Sequence, residues 1–197
     1  MTFSPAISLN LLTFLMRKSV FVANKNFYSQ DEIMQLNEQI NQKKETKNFD
    51  SPAKSAIKTS ALEFVRFAPM ASMLNKFISY CYSTNTGHYG FDLFPVTGDK
   101  IFNYNIYKPG TEYSWHIDAE SNNPVRDVKL TAMINCSDEP YEGGELVLFK
   151  GIEVKCPDFE IPGSVIVFPS FTNHKVNKVK SGVRKTLALW MWGPKFR

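Results

Sequence analysis

Hydrophobic residues recur with a helical period in the first part of the chain and with a period of two afterwards, and the change falls near Tyr89. The stretch YSQDEIMQLNEQINQ opens with Ser29-x-x-Glu32, a pairing that caps a helix start, and places Ile33, Leu36 and Ile40 on one helical face. A second helix is expected after Pro69, where Met70, Met73, Leu74, Phe77, Ile78 and Cys81 form one stripe of core-packing residues. Ahead of the first helix SVFVA reads as a strand. The polar run NQKKETKNFDSPAKSA between the helices lacks periodicity, contains Pro52 and reads as a loop.

From Tyr89 onward the alternation passes through FDLFP, KIFNYNIY, DVKLTAMINCS, ELVLF, GSVIVFP and KTLALWMW, each bounded by Gly, Pro, Asn or Asp. Short strands at close spacing predict an antiparallel sandwich or barrel. In DVKLTAMINCS, Val128, Leu130, Ala132, Ile134 and Cys136 share a core face, while Lys129, Thr131, Met133 and Asn135 share a face that could line a cavity. The expected fold is mainly β with N-terminal helices, as one domain over 1–197. Residues 1–88 supply a helical and strand layer, and 89–197 a jelly-roll core. Gly143-Gly144 reads as a tight turn, His88 as a loop residue, and Trp115 as packing on an outer sheet face.

Composition narrows the class. With 197 residues, 43% of them hydrophobic, the chain is long enough for a single buried core. The apolar run ISLNLLTFLM is too short to span a bilayer, and neither a basic stretch precedes it nor a small-residue cleavage site follows. The expectation is a soluble, cytoplasmic protein without a membrane partner. Cys81, Cys136 and Cys156 lack C-x-x-C spacing and are expected to be buried free thiols. Seven basic residues and no acidic one fall after Asn173, whereas the rest of the chain sets 16 Lys and Arg against 19 Asp and Glu. Such asymmetry suits an anionic partner, nucleic acid included, or simply a solvated basic edge.

The candidate chemistry begins at SWHID. His116 and Asp118 are two apart, so on a strand both side chains point to one side, as two ligands of one metal must. A third ligand is His174, presented by a short loop after the strand that ends at Pro169. Two imidazoles and one carboxylate form the facial triad of non-heme Fe(II) oxygenases, which leaves positions open for a 2-oxo acid and dioxygen. A second carboxylate on such an acid needs a cation, and Arg184 returns toward the site after a turn at Lys180-Ser181-Gly182. Alternation puts Thr186, Ala188 and Trp190 on the same side. Thr186 can add a hydroxyl to that carboxylate, and Trp190 can wall the pocket.

HID, EGGELVLF and GSVIVFPSFTNHKVNKVKSGVRKTLALWMWGP, in that order, resemble the Fe(II)/2-oxoglutarate-dependent dioxygenases of the prolyl 4-hydroxylase-like superfamily, and within it the PKHD-type hydroxylases of bacteria and phages. The resemblance implies a double-stranded β-helix, Fe(II) on His116, Asp118 and His174, and 2-oxoglutarate on Arg184, with O2 consumed and ascorbate a candidate reductant. It implies hydroxylation of an unactivated C–H bond in a prolyl-like peptide, amino-acid or other small-molecule substrate, with release of succinate and CO2. Tyr107 matches a tyrosine that reaches the co-substrate in relatives, or is a barrel tyrosine with another partner. Prolyl 4-hydroxylases proper often carry Lys where this chain has Arg184, which weakens an inference of proline as substrate.

Two alternatives stay open. One is a non-catalytic jelly-roll module that binds a metal or a small acid. The other is an oxygenase acting on nucleic acid, disfavoured because VRKTLALWMWGPKFR lacks the second arginine that follows the co-substrate arginine in nucleic-acid demethylases of the superfamily.

Overall fold

Strands buried on both faces need two cores, and the alternation supplies one residue set to each. The computed structural model describes residues 20–43, 58–119 and 123–196. Its main sheet has six antiparallel strands in the order β1-β9-β5-β12-β3-β2, formed by Val22–Asn24, Val165–Pro169, Arg126–Asn135, Arg184–Pro194, Ile101–Tyr107 and Ala61–Arg66. A second sheet has the order β4-β10-β7-β8, formed by Tyr113–His116, Asn173–Val176, Leu146–Phe149 and Glu153–Lys155. The short strands β6 (Glu142–Gly143) and β11 (Val179–Ser181) pair separately.

Helices α1 (Gln30–Lys43) and α2 (Ala71–Thr84) cover one face of the main sheet. Ile33, Leu36 and Ile40 of α1, and Leu74, Phe77, Ile78 and Cys81 of α2, share a core with Leu130, Ala132 and Ile134 of β5 and with Leu187, Leu189 and Met191 of β12. The intervening residues Met133, Ile166, Phe168 and Ala188 turn to the other face and pack against Leu146, Leu148 and Val176 of the small sheet. The candidate site lies between the two sheets. The start of α1 is capped as its sequence predicts: the Ser29 amide donates to Glu32 at 2.8 Å and the Glu32 amide donates to the Ser29 hydroxyl at 3.2 Å. Buried Asn37 ties α1 to the sheet, donating to the Cys136 carbonyl at 2.8 Å and accepting from the Tyr104 hydroxyl at 3.0 Å.

Several expectations change. FDLFP is not a strand, although its chain is anchored where the Phe94 amide donates to the Trp192 carbonyl. The first strand begins at Val22, and α1 runs one residue past the expected stretch, to Lys43 of the polar run whose remainder lies outside the described residues. The apolar run ISLNLLTFLM lies outside them too. Strands β1 and β2 come from the first 88 residues yet belong to the main sheet, so that part of the chain completes the jelly roll as well as covering it. The three cysteines are buried and free, and among the described residues no helix is long and apolar enough to cross a membrane.

The basic tail is largely matched by acids from elsewhere. Lys175 pairs with Glu153 at 2.9 Å, Lys185 with Asp138 at 2.6 Å and Lys195 with Asp127 at 2.8 Å, while Arg184 is buried. Part of the charge that is concentrated in sequence is thus paired with acids in space.

Candidate metal centre

His116 ends β4, and His174 lies opposite it in the antiparallel pairing of β4 with β10. Cross-strand neighbours on one face bring their side chains together, and here the ring centroids are 4.1 Å apart. Asp118 is not on the strand. Its chain has turned away after His116 and is held where the Asp118 and Ala119 amides donate to the Ser170 carbonyl at 2.9 and 3.1 Å. The carboxylate still reaches both rings, with Oδ1 3.8 Å from His116 Nε2 and Oδ2 3.5 Å from His174 Nε2. One ligand atom from each residue lies within 4.8 Å of the others, a spacing that fits a metal ion. His174 belongs to β10 itself; the loop expected to present it ends just before, at Thr172.

The donor atoms are already oriented. His116 Nδ1 lies 2.8 Å from the Ser114 carbonyl and His174 Nδ1 lies 2.9 Å from the Thr172 carbonyl. A carbonyl only accepts, so each Nδ1 carries the proton and each Nε2 presents a lone pair to the centre. Burial, followed by the proximity of His174, pushes the His116 pKa down, which keeps that ring neutral and able to ligate. The Tyr113 ring stacks on His116 at 3.5 Å between centroids. Thr131, on the cavity-facing side of β5, donates to Asp118 Oδ2 at 2.7 Å and fixes the carboxylate.

These residues line one end of a cavity of about 270 Å³. Arg184, Tyr107, Thr186, Leu146 and Val176 line it as well. Arg184 is wholly buried, and Nε, Nη1 and Nη2 have no hydrogen-bond partner among the described residues. Its guanidinium lies 5.3 Å from the Tyr107 ring centroid and 5.7 Å from that of Phe159, contacts that hold it without satisfying its N–H groups. A buried cation with unmet donors is costly, and a carboxylate is the group that matches its fork. The residues therefore fit both a metal and an anionic co-substrate. Arg184 and Tyr107 are cross-strand partners on β12 and β3, and burial pushes the Tyr107 phenol up, keeping it a neutral donor.

The cavity thus contains every expected site residue: His116, Asp118, His174, Arg184, Tyr107, Thr186 and Trp190, the last at 38% exposure on its rim. Of the face of β5 read as cavity-lining, Thr131 and Met133 are there, whereas Lys129 lies over the Phe196 ring and Asn135 is buried elsewhere, donating to the Phe159 carbonyl. Three contributors escaped the sequence reading. Lys58 lines the cavity, donates to Asn105 Oδ1 at 2.8 Å and has its pKa pushed down to about 8 by burial, with Asp118 opposing. Asn105 could have been suspected, because NYNIY puts two asparagines and Tyr107 at alternate positions of one strand. Gly144, read as a turn, is also a clearance: a Cβ there would lie 2.8 Å from Arg184 Cδ, at a backbone φ of +71°. His88 belongs to a helical turn over Asn85–Tyr89, outside this cavity, and Trp115 packs edge-on against Phe149.

Residues 102–192 match the family described as the 2OG-Fe(II) oxygenase superfamily. A PKHD-type hydroxylase of Synechococcus sp. (strain CC9605) is 38% identical over 84 residues, which make up 42% of this chain and 37% of that protein. A PKHD-type hydroxylase of Shewanella frigidimarina is 35% identical over 104 residues, 47% of this chain and 44% of the relative. The chain thus spans less than half the length of these curated relatives. Among solved structures, a Pseudomonas putida prolyl-4-hydroxylase superposes with a TM-score of 0.68 at 19% identity, covering 93% of this chain and 97% of that one. A Trichoplax adhaerens prolyl hydroxylase, solved with a hypoxia inducible factor peptide fragment, superposes with a TM-score of 0.63 at 16% identity, covering 98% and 94%.

Proposed function

From the match of residues 102–192 to the 2OG-Fe(II) oxygenase superfamily, we propose that the chain is an Fe(II)- and 2-oxoglutarate-dependent dioxygenase hydroxylating an unactivated C–H bond of a peptidyl, prolyl-like, or amino-acid substrate. One observation carries the reading: three convergent ligand atoms share a small cavity with a fully buried arginine whose donors are unmet. A metal site alone does not require that arginine, and an anion site alone does not require the triad.

Bound Fe(II), with 2-oxoglutarate and O2, supplies the oxidising power, and succinate and CO2 leave. The chain's own residues do the positioning. His116 and His174 offer Nε2 because their Nδ1–H groups are spoken for by backbone carbonyls. Asp118 is the anionic ligand, aimed by Thr131. Arg184 and Thr186 take the distal carboxylate of the co-substrate, Tyr107 donates to it from the neighbouring strand, and Trp190 walls the substrate side. A peptide substrate is supported by the likeness to the Trichoplax enzyme, whose structure includes a peptide.

The test is an anaerobic titration of metal-free protein with Fe(II) and then 2-oxoglutarate, following the visible charge-transfer band of the chelate, with His174→Ala and Arg184→Ala alongside. The band should appear in the wild type, vanish in the first variant and need far more 2-oxoglutarate in the second. Its absence in folded, metal-loaded wild type, together with no succinate formed under air, would leave a binding module in place of an oxygenase. Succinate yield with and without ascorbate tests that reductant.

A further inference from the structure

The cavity has a neighbour. A trough of about 410 Å³ runs from it along the ends of β2, β3 and β12, and Asn103 and Trp190 line both spaces. Asn103 is the strand partner of Ala188, so it and Trp190 stand on the cavity-facing side of adjacent strands and form the junction. Beyond them the trough is walled by Phe64, Phe94 and Trp192. Phe94 and Trp190 are 42% and 38% exposed and, with Phe64 and Trp192, line one continuous apolar trough, the kind of patch that marks an interaction site.

Two cations converge on the far end. Arg126 stacks over the Trp192 ring at 4.6 Å from its centroid, and the Lys100 ammonium lies 5.6 Å from the same centroid. Burial, then the charge of Arg126, pushes the Lys100 pKa down to about 8, so the pair is held together against mutual repulsion. Asp99 is the one carboxylate of the lining; it accepts a hydrogen bond from the hydroxyl of Thr97 and offsets part of the Lys100 charge, which leaves the end with a net positive charge beside Arg126. Aromatic walls leading to a cationic end are complementary to a chain with an apolar stretch and then a carboxylate.

We infer that the trough is the subsite for the part of a polypeptide substrate flanking the oxidised residue, and that Arg126 and Lys100 select an acidic side chain there. The inference rests on the oxygenase reading of the adjoining cavity. An extended chain advances about 3.3 Å per residue, and Trp190 and Trp192 are two residues apart on β12, so the acidic side chain falls about two to three residues from the reacting one. A phosphodiester strand is the poorer fit, because it presents charge at every nucleotide and calls for cations along its course, whereas these two meet over a single ring.

The test is binding, read without turnover. Full-length protein with Fe(II) and 2-oxoglutarate, kept anaerobic, is titrated into short fluorescein-labelled peptides that carry a central proline and either glutamates or glutamines two and three residues to each side, and into an oligothymidylate of similar length. Anisotropy reports binding, and the charge-transfer band is recorded in the same samples. The acidic peptide should bind at least about tenfold more tightly than its glutamine counterpart, and an Arg126→Gln/Lys100→Gln double variant should close that gap with the band unchanged. Arg126→Lys should retain most of the gap, since charge and not shape makes it.

Equal binding of the two peptides, no binding of either, a gap that survives in the double variant, or tighter binding of the oligothymidylate would each overturn the acidic subsite. A normal band beside any of these leaves the oxygenase reading intact. An acidic preference lost in the double variant, in protein that gives no band, would uphold the trough and overturn the oxygenase reading.

Discussion

The two ends of the central cavity are built on opposite plans. At the metal end every group has its supporting contact: each imidazole is oriented by a backbone carbonyl, and Asp118 accepts from Thr131. At the other end Arg184 is just as deeply buried, yet none of its three guanidinium nitrogens has a hydrogen-bond partner among the described residues. One end is arranged before its ion arrives, and the other completes its bonding only with its ligand. The contrast teaches where the folding cost of function lies, since neutral imidazoles are cheap to bury and a guanidinium with unmet N–H donors is not.

The sharpest break of this contrast is His174→Ala. It removes one of three ligands, so the Fe(II)-dependent band and succinate formation should fall to background while the melting temperature of the metal-free protein changes little. A variant that keeps full activity would refute the triad. Next, Arg184→Met should weaken 2-oxoglutarate binding by about a hundredfold or more, because at least two charge-assisted hydrogen bonds of roughly 1.5–3 kcal/mol each are lost. The same substitution also removes the positive charge that faces the buried Glu160 carboxylate, so the melting temperature of the ligand-free protein should fall by a few degrees and Glu160→Gln should restore it. Unchanged affinity would show that Arg184 is structural only.

Smaller effects probe the prearranged end. Thr131→Val keeps the shape and deletes the donor to Asp118, and about a tenfold loss of metal affinity is expected from calorimetry, with 2-oxoglutarate affinity of the loaded protein nearly unaltered. The gentlest probe is acid. His116 is less basic folded than unfolded, so the unfolded chain takes up a proton first as pH falls. The stability due to its neutral ring is therefore complete above about pH 6.5 and is lost progressively toward pH 4. Melting curves of metal-free protein across that range should show the decline, and His116→Gln should flatten it.

Much of this was readable from the residues because strand alternation is a rigid rule. Arg184, Thr186, Ala188 and Trp190 share a face in sequence and share the cavity in space. The helical stripes on α1 and α2 were equally plain, as was the capping pair at Ser29 and Glu32. FDLFP failed for a physical reason: alternation says that a segment is extended, not that a neighbouring strand is free to pair with it. Asp118 reached its place by a backbone turn beyond β4, which the two-residue spacing did not foretell, and the outcome agreed with the expectation by another route. Lys58 and Gly144 were invisible because their roles depend on which distant side chain passes nearby. The ion pairs of the basic tail were hidden for the same reason, as its acidic partners Glu153, Asp138 and Asp127 lie far from it in sequence.

The pairing of His116 with His174 has a consequence for how the protein holds together. Strand β4 is four residues long, lies at the edge of the small sheet, and has β10 as its one strand neighbour there. An ion bridging the two histidines is a crosslink between that edge and the interior, and by mass action its binding free energy is added to the cost of peeling the edge away. Amide protons of residues 113–116 should therefore exchange with deuterated solvent at a rate set by free metal concentration, while those of β5 and β12, locked inside the main sheet, keep their own slow pace. A short edge strand is fastened by the ion it helps to bind.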